Sequence, residues 1–296
     1  MPGPNIQTEN QQLTEKKSLR QKYNCLRKLI SDAGGAVVAF SGGVDSTFLL
    51  KVCVDVLGNK VLAVTARSDT FPARELNEAV KLAGQMGARH TIITSEELDV
   101  PGFSDNPPNR CFLCKHELFS KIKSIVNDQD LQWVFDGSNL DDTGDFRPGR
   151  MAARKLKVRS PLEEAELTKK DIRSLSRKLK LPTWNKPSFA CLSSRFPYHK
   201  QITKPALRQV EDAENILWKL GMREFRVRHH DTIARIELGE KEMQSLWGDN
   251  LREEIVNQIK SLGYHYVTLD LQGYRTGSMN ETLNPEYMTT INSHNE

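Results

Sequence analysis

Residues 36–58 read AVVAFSGGVDSTFLLKVCVDVLG. The opening run, Ala36–Phe40, is short and wholly apolar, as strands buried on both faces of a parallel sheet are. From Thr47 the stretch turns into an apolar helical segment that closes at Gly58, a residue suited to ending a helix. Between them lie Ser41, Gly42, Gly43, Val44, Asp45 and Ser46. Two glycines let the backbone curl round an anion, and the N-terminus of the following helix offers unpaired N–H groups and a positive dipole. Ser41 and Ser46 add hydroxyl donors, and Asp45 can hold Mg²⁺ against a phosphate. No Lys follows the second glycine, so this is not a Walker A loop.

The same rhythm extends outward. A helix is predicted over Ser18–Asp32, ahead of the first strand. VLAVT (61–65) reads as a second strand and is followed by a helix over Pro72–Met86. HTIITS (90–95) reads as a third, leading through a Pro- and Gly-rich loop to a helix that contains Cys111 and Cys114. WVFDGSN, from Trp133, opens with a fourth. Strands alternating with helices at this spacing predict an α/β fold, a parallel sheet with helices on both faces. Ligands of such sheets sit beyond the carboxyl ends of the strands, where SGGVDS, the segment after Thr65 and DGSN all fall.

Further on, TKKDIRSLSRKLKL from Thr168 predicts a helix stopped at Pro182, and TWNKPSFACLSSRFPY (183–198) has no period and reads as a loop. Then a helix over Lys204–Leu220, two alternating strands in FRVRHHD and TIARIEL, a helix over Glu240–Leu262 and a strand in YHYVTLDL follow in turn. That order predicts a smaller α+β domain. The expected division is a flexible leader at 1–17, the α/β domain at 18–198, the α+β domain at 199–285 and a tail at 286–296.

A length of 296 residues fits two domains, at roughly 150 residues each. Hydrophobic residues make up 38% and charged residues 27%, which is ordinary for a soluble globular chain. No run approaches the roughly 18 apolar residues of a membrane span, and the polar N-terminus lacks a secretory signal. The net charge of +4 is too mild for a general nucleic-acid or membrane binder.

Five cysteines, an odd number without a secretion signal, argue against a disulfide framework and for a reducing cytosol. Cys111 and Cys114 form a CxxC near a helix start, where thiolates are favoured. Four uses stay open: core packing, a redox dithiol, a zinc site of Cys111, Cys114, Cys191 and His116, or a [4Fe–4S] cluster on the three cysteines. Three thiolates would leave one iron open to a small ligand such as hydrosulfide. Cys25 and Cys53 fall within helical patterns and are expected in the core. Arg226 and Arg228 are two apart on a strand and share a face, as a pair of guanidinium forks for a nucleotide phosphate would. Taken alone, that pair equally suits a solvated basic strand, and Glu214 a solvated helix. His229 and His230 are adjacent on a strand, face opposite ways and make no metal pair.

SGGVDS behind AVVAF resembles the PP-loop of the ATP pyrophosphatases, which include GMP synthetase, NAD synthetase and tRNA thiolases. Asp145-Phe146-Arg147-Pro148-Gly149, TWNKPSFACLSSRFPY and FRVRHHDTIARIEL are more specifically similar to the LarE family, over about residues 20–285. The resemblance implies a PP-loop, adenine nucleotide alpha-hydrolase-like fold, and ATP and Mg²⁺ as cofactors. It implies sulfur insertion for the nickel-pincer cofactor of lactate racemase: the carboxylates of pyridinium-3,5-dicarboxylate mononucleotide are adenylated and converted to thiocarboxylates. By the same resemblance Ser41, Gly42, Gly43, Asp45 and Ser46 hold pyrophosphate. Cys191 takes the sulfur-donor position, with Ser194 and Arg195 beside it. Arg226, Arg228, Glu214 and Glu237 become substrate contacts, the two glutamates alternatively metal contacts.

Sacrificial members give up the sulfur of the cysteine at the Cys191 position and are left with dehydroalanine. Cys111 and Cys114 depart from that pattern and match a branch whose three cysteines hold a [4Fe–4S] cluster carrying transferable sulfide. That is the expected mode, with the sacrificial one as alternative. A sulfide source and a downstream nickel-inserting protein are implied as partners, no membrane is expected, and assembly into a homo-oligomer is left open. A cluster-containing tRNA thiolase is the first rival, disfavoured by the weak net charge and the lack of an RNA-binding appendage. An ammonia-using amide synthetase would not need the cysteines, and a nucleotide-binding or cluster-storage module would release no pyrophosphate.

Overall fold

The computed structural model describes residues 6–128, 131–144, 148–187, 189–248, 250–275 and 277–283. Asp145, Phe146 and Arg147, Ser188, the start of the expected leader and the whole of the expected tail lie outside the described residues.

Four parallel strands form the first sheet: β1 (Ala36–Ala39), β2 (Val61–Arg67), β3 (Arg89–Thr94) and β4 (Trp133–Phe135), in the order β3-β2-β1-β4. Val37 pairs with Leu62 on one side and Val134 on the other. The apolar run of β1 serves two cores at once. Ala36 and Val38 face helices α1 (Ile6–Ala33), α2 (Val44–Leu57), α3 (Ala73–Gln85) and, further along the chain, 169–178, packing with Leu26, Ile30, Phe48, Leu82 and Ile172. Val37 faces the opposite layer, with Phe119 and Ile122 of α4 (Arg110–Asp128). Alternate residues thus pack opposite faces, which is why the strand carries no polar position. Helix α1 begins well before the predicted Ser18.

Two short helices, α5 (Gly149–Lys155) and α6 (Pro161–Glu164), lead to α7 (Lys169–Lys178). Thr168 and Asp171 make a reciprocal capping box that starts α7 where the sequence predicts. Helix α8 (Lys204–Lys219) then packs on a second sheet of β5 (Phe225–His230), β6 (Ile233–Leu238) and, at the end of the fold, 266–269.

The predicted helix over 240–262 is two helices, α9 (Glu240–Ser245) and α10 (Leu251–Ser261). Asn250 stands between them with φ 56°, a left-handed conformation that a right-handed helix cannot pass through. Strand β7 (Tyr266–Leu269) pairs parallel with β6, while β5 and β6 are antiparallel. A smaller core of Phe103, Leu192, Phe196, Ile202, Leu207 and Val210 joins the loop around Cys191 to α8. No helix among the described residues is long and apolar enough to cross a membrane.

Candidate functional site

The loop between β1 and α2 is curled before any ligand arrives. Ser41 Oγ and Ser46 Oγ lie 3.1 Å apart, the Ser41 N–H donates to Ser46 Oγ (3.3 Å), and Ser46 Oγ donates to the Gly43 carbonyl (3.3 Å). Gly42 has φ 70°, and a Cβ there would stand 3.1 Å from the Cβ of Ala79 on α3. Glycine is needed on both counts. From the other side DGSN closes in: a Cβ on Gly137 would lie 3.1 Å from the Ser46 nitrogen.

Asp45 is ion-paired with Lys169, the first residue of α7, and accepts from Asn139 Nδ2 (3.5 Å). The Lys169 backbone N–H donates to Asp141 (2.8 Å), so the acidic DD pair after DGSN seats the start of α7 against the loop. A second lysine, Lys186, donates to the Gly42 carbonyl (3.3 Å) while paired with Glu75 (2.7 Å) and Glu78 (2.8 Å) of α3. It belongs to the segment that leads to Cys191, so the cysteine loop is tied directly to the phosphate loop. Sequence reasoning singled out neither lysine, because their partners lie more than a hundred residues away along the chain.

The Leu192 N–H donates to the Thr70 carbonyl beyond β2 (2.9 Å). The Cys191 carbonyl accepts from the Ser194 N–H (3.0 Å), Ser194 Oγ (2.8 Å) and Arg195 Nη1 (3.1 Å). Arg195 is 0% exposed and forms a two-pronged pair with Glu214 of α8 at 2.8 and 2.9 Å. Burial works to raise the Glu214 carboxyl, but Arg195, Arg226 and the Val227 N–H together more than offset it and hold the group below its ordinary range. Arg228 pairs with Glu237 in the same manner (2.9 and 2.7 Å) and donates to the Ser194 carbonyl (2.6 Å) and Ser278 Oγ (2.8 Å). Arg226 lies over the Tyr274 ring at 4.9 Å and donates to its hydroxyl (3.2 Å). Burial and the charge of Arg195 both push Arg226 down, which puts the two guanidiniums in one neighbourhood. The structure therefore brings Cys191, Ser194, Arg195, Glu214, Arg226, Arg228 and Glu237 together. It holds both glutamates as counter-ions of arginines, not as exposed residues.

Cys111 and Cys114 lie in the first two turns of α4, and each thiol lies close enough to Cys191 to feel its charge. Burial pushes both thiols above the ordinary range; at Cys111 the neighbouring Arg110 opposes it, whereas at Cys114 Glu97 adds to it. Cys114 Sγ donates to Glu97 Oε1 across 3.7 Å, and the Glu97 carboxyl is itself raised by burial. Among the described residues no group of three or more His, Cys, Asp or Glu is arranged to hold a single metal ion. His116 packs its ring on Phe112 one turn away (5.7 Å).

Arg110 and Asn106 also escaped sequence reasoning. Arg110 donates to the Ser193 carbonyl (3.0 Å) and to Asn106 Oδ1, and Asn106 Nδ2 donates to the carbonyls of Phe196 (3.2 Å) and Pro197 (2.7 Å). Together they fasten the cysteine loop to the CxxC turn. Of the two cysteines expected in the core, Cys53 is buried but Cys25 is exposed on α1, because helical spacing alone does not tell which face carries the thiol.

A protein-family model described as NAD synthase matches residues 18–104, which span the phosphate loop. An uncharacterized protein of Synechocystis is 40% identical over 90% of this chain and 99% of its own. The pyridinium-3,5-bisthiocarboxylic acid mononucleotide synthase of Lactiplantibacillus plantarum is 39% identical over 93% of this chain and 99% of its own. An uncharacterized protein of Methanocaldococcus jannaschii is 26% identical over 88% of this chain and 98% of its own. Identity at that level, kept over nearly the whole of both chains, means that this chain belongs to the LarE family of the Lactiplantibacillus synthase.

Proposed function

We propose that the chain is an ATP-dependent sulfur transferase that adenylates the carboxylates of pyridinium-3,5-dicarboxylate mononucleotide and converts them to thiocarboxylates. One observation carries this: Lys186 fastens the loop of Cys191 to the phosphate loop through the Gly42 carbonyl, so activation and sulfur delivery share one face. The similarity to the Lactiplantibacillus synthase supports it, since that protein's name specifies a bisthiocarboxylic mononucleotide. Residues 18–198 form the activating unit in this proposal and 199–285 the unit that grips the nucleotide.

Ser41, Gly42, Gly43 and Ser46 cradle the pyrophosphate half of ATP, and Asp45 would hold Mg²⁺, which offsets phosphate charge. Lys169, paired with Asp45 here, would face the phosphate oxygens with Mg²⁺ bound at that carboxylate. A substrate carboxylate oxygen attacks the α-phosphorus and pyrophosphate leaves. A sulfur nucleophile then attacks the acyl carbon, and AMP, a far better leaving group than the original oxygen, departs. Arg195 and Ser194 keep the Cys191 backbone fixed throughout, so little ordering is left to be done when the nucleophile meets the acyl-adenylate. Arg226 grips the substrate phosphate, and Arg228, already held by Glu237, Ser194 and Ser278, lends its charge beside it.

Cys111, Cys114 and Cys191 would hold a [4Fe–4S] cluster. Three thiols, with Cys111 and Cys114 each in electrostatic reach of Cys191, are the soft donor set such a cluster takes. When bound, it supplies an iron position open to hydrosulfide. A reducing cytosol, a sulfide source and a nickel-inserting protein downstream complete the reading.

The test is iron and acid-labile sulfide per chain after anaerobic reconstitution, with Cys111→Ala, Cys114→Ala and Cys191→Ala alongside. Pyrophosphate release and thiocarboxylate product are followed over many turnovers. About four iron and four sulfide per chain, lost in each variant, are expected. A chain without iron that stops after one sulfur and shows dehydroalanine at position 191 would replace this mode with the sacrificial one.

A further inference from the structure

Arg110 opens α4 immediately before the CxxC, yet only 2% of it is exposed. Its acceptors across the chain, the Ser193 carbonyl and the Asn106 amide oxygen, are neutral. The other buried arginines of the site are matched in charge, Arg195 by Glu214 and Arg228 by Glu237. Among the described residues no carboxylate is paired with Arg110. A guanidinium taken out of water without a counter-charge is costly and is rarely kept without a reason.

Its place in the chain sets it among the cysteines. Arg110 immediately precedes Cys111, and the carbonyl it grips belongs to Ser193, two residues from Cys191. Three thiolates carry more negative charge than the core of a resting four-iron cluster carries positive, so the assembled centre is an anion. We infer that Arg110 is a positioning residue that acts as the fixed counter-charge for an anionic centre carried by Cys111, Cys114 and Cys191. The inference rests on the proposal that those three thiols hold such a centre together.

A plain strut would show the same hydrogen bonds, and Asn106 separates the two roles. Asn106 is fully buried, holds φ 54°, ties the carbonyls of Phe196 and Pro197, and carries no charge. The experiment uses the full chain as wild type, Arg110→Lys, Arg110→Gln and Asn106→Ala, each checked for folding by circular dichroism. Cd²⁺, a soft ion whose thiolate bonds can draw in donors not already arranged around one ion, is titrated in anaerobically and followed by its thiolate charge-transfer absorption. Iron content and the midpoint potential of the centre are then measured after reconstitution.

Arg110→Gln should bind Cd²⁺ at least about tenfold more weakly, the usual scale for loss of a group that supports metal ligands. Its reconstituted centre should be reduced only at a more negative potential, because one positive charge has gone. Arg110→Lys should restore both, and Asn106→Ala should lose less than Arg110→Gln. Wild-type behaviour in Arg110→Gln, or equal losses in Arg110→Gln and Asn106→Ala, would overturn the inference in favour of a strut. Should Arg110→Gln not fold, Arg110→Lys decides: weak Cd²⁺ binding with the charge intact overturns it, and wild-type binding supports it. A wild-type chain that binds Cd²⁺ on the three thiols but takes up no iron would remove the cluster proposal and leave the assignment of Arg110 standing.

Discussion

Replacing Glu214 with Gln probes the pair that anchors Cys191. Arg195 is 0% exposed and Glu214 4%, so water offers the stranded partner almost nothing. Gln keeps one oxygen, enough for the Val227 N–H that donates to Glu214 Oε1 at 3.1 Å, but turns an NH₂ group toward a guanidinium that can only donate. Breaking a buried pair from one side costs about 3–5 kcal/mol, because a charge is left uncompensated. At about 2.1 cal/mol/K of unfolding entropy per residue, that lowers the melting temperature by roughly 5–8 °C if the whole chain unfolds as one unit. Arg195→Met combined with Glu214→Gln should recover part of the loss, since no buried charge remains. The pH dependence has a definite sign. Glu214 is held below its ordinary value of 4.5, so its contribution is complete above that value and fades as the pH falls through the lower folded one. Denaturant melts at neutral and acidic pH measure both effects. A loss under about 1 kcal/mol at neutral pH would refute the argument, for it would mean that the carbonyls of Ala190 and Cys191 suffice for Arg195.

Gly42→Ala should misplace the phosphate loop, since the left-handed φ costs about 1–2 kcal/mol and the new methyl meets Ala79. The rise in melting temperature on adding Mg–ATP should shrink, and an unchanged rise would count against the loop as the ATP site. Lys169→Met should cut substrate-dependent pyrophosphate release by about a hundredfold, the scale for loss of one electrostatic donor, with Lys169→Arg in between. In native protein maleimide should label Cys25, whereas Cys53, fully buried and with its thiol pushed well up by burial, should react only in denaturant. Peptide mass spectrometry reads both, and early labelling of Cys53 would contradict its packing beside Leu49 and Val52.

The α/β layers were legible because their signals are local: an apolar run, a glycine turn and a helix follow one another within residues 36–58. The thiols and guanidiniums of the site were legible as residue types, since soft donors and forks announce their chemistry. Their partners were not. Arg110 meets Ser193 across 83 positions, Lys169 meets Asp45 across 124 and Lys186 meets Gly42 across 144, and no spacing rule spans such gaps. Arg226 and Arg228 were placed on one face, but the sequence could not tell that Glu237 would occupy Arg228. The break at Asn250 was legible in Gly248-Asp249-Asn250, a turn signal outweighed by the apolar periods on either side of it.

The ties on the loop of Cys191 come from four directions: Lys186 from the phosphate loop, Thr70 from the end of β2, Arg110 from α4, and Arg228 from β5. A segment pinned at so many points does not swing between stations. In the proposed reaction the two carboxylates lie on opposite flanks of one ring, so the burden of motion falls on the substrate. The half-converted nucleotide must let go, turn over and present its second edge to the same sulfur-delivering position. Release of a singly thiolated product is then a step built into the fold, and that species should accumulate in solution whenever ATP runs short.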